Sequence, residues 1–152
     1  KWNHIPSMNG TENAYSLPKE SGEWMTDNVT VVRYNDKLQE TDNKIQELME
    51  RWENINIHDT AKWSNQGASF TRQLFNMLQL ARVITLGALK RDESRGAHYK
   101  PDFPERNDEE FMKTTMADFV DSKSAPNIYY EDIDVSLIKP RKRDYSKSKG
   151  AN

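Results

Sequence analysis

Leu38, Thr41, Ile45, Leu48, Trp52 and Ile55 follow one another at alternating steps of three and four residues. That spacing keeps one stripe of a helix turned toward a partner along its whole length, as in a coiled-coil seam. A strand has no use for it, because a strand alternates its faces at every residue. Asp36 near the start and Arg51 near the end complement the helix dipole. About 20 residues at a rise of 1.5 Å make a rod of roughly 30 Å. A rod with one apolar stripe needs other helices beside it, and the chain offers two.

The third helix is expected over residues 66–90. Phe70, Leu74, Met77, Leu78, Ala81, Ile84, Thr85 and Ala88 form its apolar face. Leu80, Val83 and Leu86 lie off that face, so a second side of this helix is expected to be covered as well. Asn56, His58, Asp59, Thr60, Ser64 and Asn65 break the chain between the second and third helices. The first helix is less regular. Thr11 is a candidate N-cap, with Glu12 placed for the first turn. Ala14, Leu17, Trp24 and Met25 share a face. Pro18 lacks a backbone donor, so the regular helix is expected to settle around it at a first-turn position. The β-branched run Val29, Thr30, Val31 and Val32 suits either a strand or a continuing helix.

Residues 93–106 fit neither pattern. Pro101 and Pro104 forbid a helix and push Lys100 and Phe103 toward extended backbone, while Gly96 allows a reversal like that of a C-cap glycine. A polar, aromatic segment held extended suits docking on another surface, and its chemistry alone suits an ordinary surface loop equally well. Beyond it, residues 111–120 and 128–137 read as two strands of an antiparallel hairpin, with Ile133, Val135 and Leu137 alternating. The net charge of −2 is uneven. Residues 139–149 carry six cations against Asp144, so the helical body is acidic and the tail basic. The fold expected is mainly α: a three-helix antiparallel bundle of spectrin-repeat type, a small β hairpin and a basic tail. The divisions are residues 1–10, 11–92, 93–138 and 139–152: lead-in, bundle, docking stretch with hairpin, and tail.

Several chemistries are excluded or unsupported. The chain has no cysteine, which removes disulfides, thiolate chemistry and iron–sulfur ligation. His4, His58 and His98 show no metal-ligand spacing, and no glycine-rich phosphate loop is present. No apolar run approaches the roughly 20 residues of a membrane span. Glu40, Glu47, Glu50 and Glu53 read as a solvated helix face. Trp24, Trp52 and Trp63 read as core or staple residues. The chain opens at Lys1 rather than Met, as an excised piece of a longer protein would.

Two runs carry a family resemblance: Arg91-Asp92-Glu93-Ser94-Arg95-Gly96-Ala97-His98-Tyr99 and Pro101-Asp102-Phe103-Pro104-Glu105-Arg106-Asn107-Asp108. They closely resemble the C-terminal region of succinate dehydrogenase and fumarate reductase flavoprotein subunits. Residues 13–33 are similar to that family's first C-terminal helix, 65–90 to its third, and 127–145 to its closing segment. The bacterial succinate dehydrogenases that feed menaquinone look most similar. The resemblance implies a whole protein that oxidises succinate to fumarate by hydride transfer to FAD. Electrons would pass to an iron–sulfur subunit and quinone, with a membrane anchor holding the complex at the cytoplasmic side of the plasma membrane. FAD and succinate would be held by earlier domains whose histidine and arginine motifs this sequence lacks. The expectation is therefore no catalytic, cofactor-binding or metal-binding residue here, no nucleic-acid partner and no direct membrane span. Glu93, Ser94, Arg95, His98, Asp102 and Arg106 are expected at the contact with the flavin-binding domain of the same chain. The alternative is a stand-alone helical interaction module. A nucleic-acid-binding bundle is disfavoured by the acidic body.

Overall fold

The computed structural model describes residues 3–61 and 63–141, so the basic tail expected over 139–152 lies outside the described residues from 142 onward. Three long helices, α1 (Ser16–Val29), α2 (Asn35–Trp52) and α3 (Gln66–Leu89), precede a single helical turn, α4 (Asp108–Phe111). Two strands follow, β1 (Lys113–Asp118) and β2 (Asn127–Asp132).

The six seam positions all point inward, although α2 ends at Trp52 and Ile55 lies just beyond it in a bridge with Glu12. Leu38, Thr41, Ile45, Leu48 and Ile55 are 0% exposed and Trp52 is 2% exposed. The indole of Trp52 donates to the Thr71 carbonyl at 2.7 Å, so the largest seam residue buries its polar atom satisfied. Side-chain pairs fix the helix directions. Arg51, late in α2, meets Glu20, early in α1, while Asn28 at the end of α1 reaches Thr41. Trp52 meets Thr71, and Asp42 meets Arg82, so α3 also runs against α2. The bundle is up-down-up, the antiparallel three-helix arrangement expected. Pro18 occupies the third position of α1, where its missing N–H is one that a helix leaves unpaired. The β-branched run leaves the helix at Val29. Val32 then pairs with Tyr99 as an isolated bridge.

Three expectations are corrected. Met77 and Ile84, placed on the inner face of α3, are each 52% exposed, beside Leu80 at 62%. The inner line instead includes Phe75 and Arg82, because Asp42 of α2 holds the Arg82 guanidinium inside at 2.9 Å. That pair rotates α3 and turns one edge of its apolar surface outward. Trp63 is not core: it is 88% exposed, in the connection between α2 and α3. The hairpin is shorter than expected. Phe111 belongs to α4, and β2 stops at Asp132, opposite Lys113 at the start of β1. Among the described residues, Ile133, Val135 and Leu137 therefore have no strand to pair with, and Leu137 is 94% exposed.

The lead-in is stitched to the far end of α2. Ile5 and Met8 are buried, and the backbone exchanges bonds with the α2–α3 connection at Gly10–Ile55, Glu12–Asn54, Asn56–Glu12 and Ile57–Met8. A Cβ at Gly10 would stand 1.9 Å from the Asn54 carbonyl oxygen. Gly10→Ala should therefore cost roughly 1–3 kcal/mol, the scale of overpacking a fixed backbone. Urea denaturation measures it, and an unchanged midpoint would show that the stitch is dispensable.

Candidate functional site

The pole of the bundle where α3 ends is built on a buried carboxylate. Glu93 is 0% exposed. It accepts hydrogen bonds from Arg91 Nε (2.8 Å), Arg95 Nε (2.8 Å), Arg95 Nη2 (3.0 Å) and the Asn107 backbone (2.9 Å). Burial pushes its pKa up, but the bonds from Arg95, Asn107 and Arg91 outweigh this and hold it below the ordinary value. Arg95 continues to Asp108 at 2.7 Å, and Arg106 reaches the same carboxylate at 2.6 Å. Arg91 donates to Thr115 Oγ1 at 2.9 Å and to the Phe111 carbonyl, which ties the cluster to α4 and β1. Its guanidinium also lies over the Phe111 ring, 5.5 Å from the centroid.

Two tight turns fold the segment back on itself, so it is not the extended arm expected. Arg95 and His98 exchange backbone bonds of 2.8 and 3.1 Å across Gly96 and Ala97. Gly96 has φ 61°, which a two-residue hairpin turn asks of its first central residue. Its role is thus a hairpin turn; the helix itself caps at Lys90. Pro101 takes the first central place of a second turn, closed by Phe103 N–H to the Lys100 carbonyl at 2.9 Å. Ser94 clamps the two turns together, donating to the Phe103 carbonyl at 2.8 Å and accepting from Lys100 N–H at 2.9 Å. Lys100 is 1% exposed. Its ammonium group closes the end of α3 through the Leu89 carbonyl at 3.0 Å and pairs with Asp92 at 2.8 Å.

Of the residues expected at an inter-domain contact, Glu93, Ser94, Arg95, His98 and Arg106 come together here. Asp102 is exposed on the Pro101 turn, outside the cluster. Arg95 spends its bonds on Glu93 and Asp108 within the chain. Sequence reasoning missed Arg91, Lys100, Asn107 and Asp108, although all but Lys100 sit in the resembling runs and Lys100 lies between them. It also missed Arg33, which has no local signal. Arg33 lies on the α1–α2 connection, 65 residues from His98, and donates from Nη1 to His98 Nδ1 at 2.5 Å. His98 Nε2 faces the Arg91 carbonyl at 2.8 Å. Nε2 therefore carries the proton and Nδ1 accepts, which is the neutral ring. Burial pushes the His98 pKa down, a hydrogen bond to the Arg91 carbonyl pulls it back up, and the charges of Arg33, Lys100 and Arg91 lower it further.

A pH effect follows. The folded pKa of His98 is depressed, so the unfolded chain takes up the proton first. The stability from neutral His98 is complete above the unfolded value, about 6.5. It is lost as pH falls from there through the folded value. The chain should become easier to unfold below about pH 6.5, and His98→Gln should flatten that slope. Equal slopes in both would remove His98 as the cause.

Beside this cluster, Arg33, His98, Val83, Ile84, Gly87 and Ala117 line a cleft of about 450 Å³ between α3 and the hairpin. Among the described residues, no group of three or more His, Cys, Asp or Glu is placed to hold a metal ion, and no helix is long and apolar enough to cross a membrane.

The family described as fumarate reductase flavoprotein C-term matches residues 18–145, and the chain belongs to it. It is 73% identical over 151 residues to the succinate dehydrogenase flavoprotein subunit of Bacillus subtilis, covering 99% of this chain and 26% of that protein. Against the fumarate reductase flavoprotein subunit of Helicobacter pylori it is 37% identical over 141 residues, covering 91% of this chain and 20% of that protein. The fold matches a structure of E. coli quinol fumarate reductase with a TM-score of 0.86 and 30% identity, over 93% of this chain and 24% of that one. The chain thus spans about a quarter of the relatives it matches.

Proposed function

We propose that this chain is the C-terminal helical domain of a longer succinate dehydrogenase flavoprotein subunit. The observation that carries the reading is the 73% identity to the Bacillus subtilis subunit across 99% of the chain. The whole protein would oxidise succinate to fumarate by hydride transfer to FAD and pass electrons to an iron–sulfur subunit and quinone. It would sit peripherally on the cytoplasmic side of the plasma membrane, through that subunit and a membrane anchor. The residues described here do not suit a flavin site. Gly96 closes a side-chain-bearing turn rather than a phosphate cradle, and Arg91 and Arg95 are spent on Glu93. FAD and succinate belong to the rest of the protein in this reading, and no step is assigned to residues of this chain. Its work is to pack on the flavin-binding domain, with the pole around Glu93 at or near that contact.

The full-length protein should show a flavin absorption band and reduce a dye with succinate, while residues 1–152 alone should be colourless and inactive. A full-length protein without flavin or succinate-dependent reduction defeats the reading. A yellow or active 152-residue chain would defeat the placement of flavin outside it.

A further inference from the structure

One side of α3 carries Met77, Leu80 and Ile84, exposed by 52%, 62% and 52%. They recur at i, i+3 and i+7, so they form a single stripe about 10 Å long. Ile84 is also a wall of the cleft that holds Arg33 and His98. The stripe therefore runs directly into that cleft.

Arg33 differs from the other arginines of this pole. Arg91 and Arg95 lie on Glu93, and Arg106 lies on Asp108. Arg33 donates to the Val29 carbonyl at 3.0 Å and to His98 Nδ1, and among the described residues it pairs with no carboxylate. A neutral imidazole orients the guanidinium without balancing its charge. Burial alone, with no anion to offset it, pushes the Arg33 pKa down. Nearby acids are engaged: Glu93 by Arg91 and Arg95, Asp92 by Lys100 and Asn35. An apolar stripe leading to a half-buried cation without an anion calls for an occupant that is apolar along its length and acidic at one end.

We propose that this side of α3 seats a segment of the same flavoprotein from outside these 152 residues, whose apolar side chains cover Met77, Leu80 and Ile84 and whose Asp or Glu enters the cleft to pair with Arg33. The inference rests on the reading of the chain as part of a longer flavoprotein. The Bacillus subtilis relative has room for such a segment, since this chain covers only 26% of it. A nucleic acid or free phosphate would satisfy Arg33 but leave the stripe bare. The contact differs from the one expected of Arg95, whose bonds are made inside the chain.

The test uses the full-length flavoprotein. A thiol introduced by Leu80→Cys is alkylated, and its rate is read by peptide mass spectrometry against a thiol introduced by Asp36→Cys on the exposed side of α2. The thiol at 80 should react at least about tenfold more slowly if the stripe is covered. Arg33→Gln should speed it roughly tenfold to a hundredfold, the range for losing one charge-assisted bond. Arg33→Lys keeps the charge, should restore most of the protection, and so separates a lost charge from a lost fold. A photocrosslinker at position 80 should capture a peptide from the part of the flavoprotein that precedes this chain. Fast alkylation without further change, no effect of Arg33→Gln, or capture of residues 142–152, a second copy or another subunit would each overturn the proposal. If that protein holds flavin and oxidises succinate, these failures defeat the seat alone. Absence of flavin and activity defeats the broader reading instead.

Discussion

Glu93→Gln should destabilise the chain by about 3–5 kcal/mol, the cost of removing one partner from a buried ion pair. The carboxylate has no solvent to share its charge, being 0% exposed, and two guanidinium groups and a backbone N–H converge on it. Glutamine keeps the shape but offers one acceptor oxygen and an NH₂ that confronts donors. Arg91 would lose its carboxylate, and with it the anchor that aims it at Thr115 and the Phe111 carbonyl. The damage should therefore spread to the hairpin. The sign of the pH dependence provides an independent check. The folded pKa of Glu93 is lowered, so its contribution is present above the unfolded value, about 4.5, and disappears as pH falls through the folded value. The stability gap between the native chain and the variant should be full at pH 7 and shrink below about pH 4.5. A loss under about 1 kcal/mol at pH 7 in urea denaturation would show that the arginines find other anions.

Leu48→Ala should cost about 2–5 kcal/mol, the range for truncating a fully buried leucine. Leu48 is 0% exposed in the middle of α2, in one core with Ile45, Trp52, Leu74 and Leu78. Both flanking helices press on that line, so the cavity has little freedom to collapse. For a chain of this length the melting temperature should fall by roughly 5–20 °C. A thermal scan showing no fall would mean that the α2 seam does not carry the core.

How much can be read ahead of the structure depends on how local the cause is. The α2 seam is legible because five of its positions, Leu38 to Trp52, lie on one helix and repeat with its period, and Ile55 is buried just past the helix end. The start of α3 is legible too: Asn65 is a breaker by residue type, and its side chain accepts from Ala68 N–H at 2.7 Å as an N-cap. The inner face of α3 is not. Its rotation is set by Asp42, 40 residues away, and periodicity on α3 alone does not encode that partner. The same reason hides Arg33 from a reading of residues 93–106. Glu93, Ser94, Arg95, His98 and Arg106 stand out through the family resemblance. Their mutual geometry comes from the two turns that close over Ser94 and from partners elsewhere, Asp108 for Arg95 and Arg106, and Arg33 for His98. The prolines mislead in one respect. Pro101 directs a turn, which is as compatible with its fixed φ as the extended backbone expected there.

The Asp42–Arg82 pair has a consequence for alignment. Apolar helices can slide: if α2 moved one turn along α3, Leu48 and Leu74 would trade neighbours at modest cost. Asp42 and Arg82 cannot do so. They are 4% and 5% exposed, and a slip would strand each charge in the core without its counterpart, a penalty of several kcal/mol. The pair works as a detent between two smooth rods. It admits one offset between α2 and α3, and with it one position for the Glu93 pole relative to the helices that carry it.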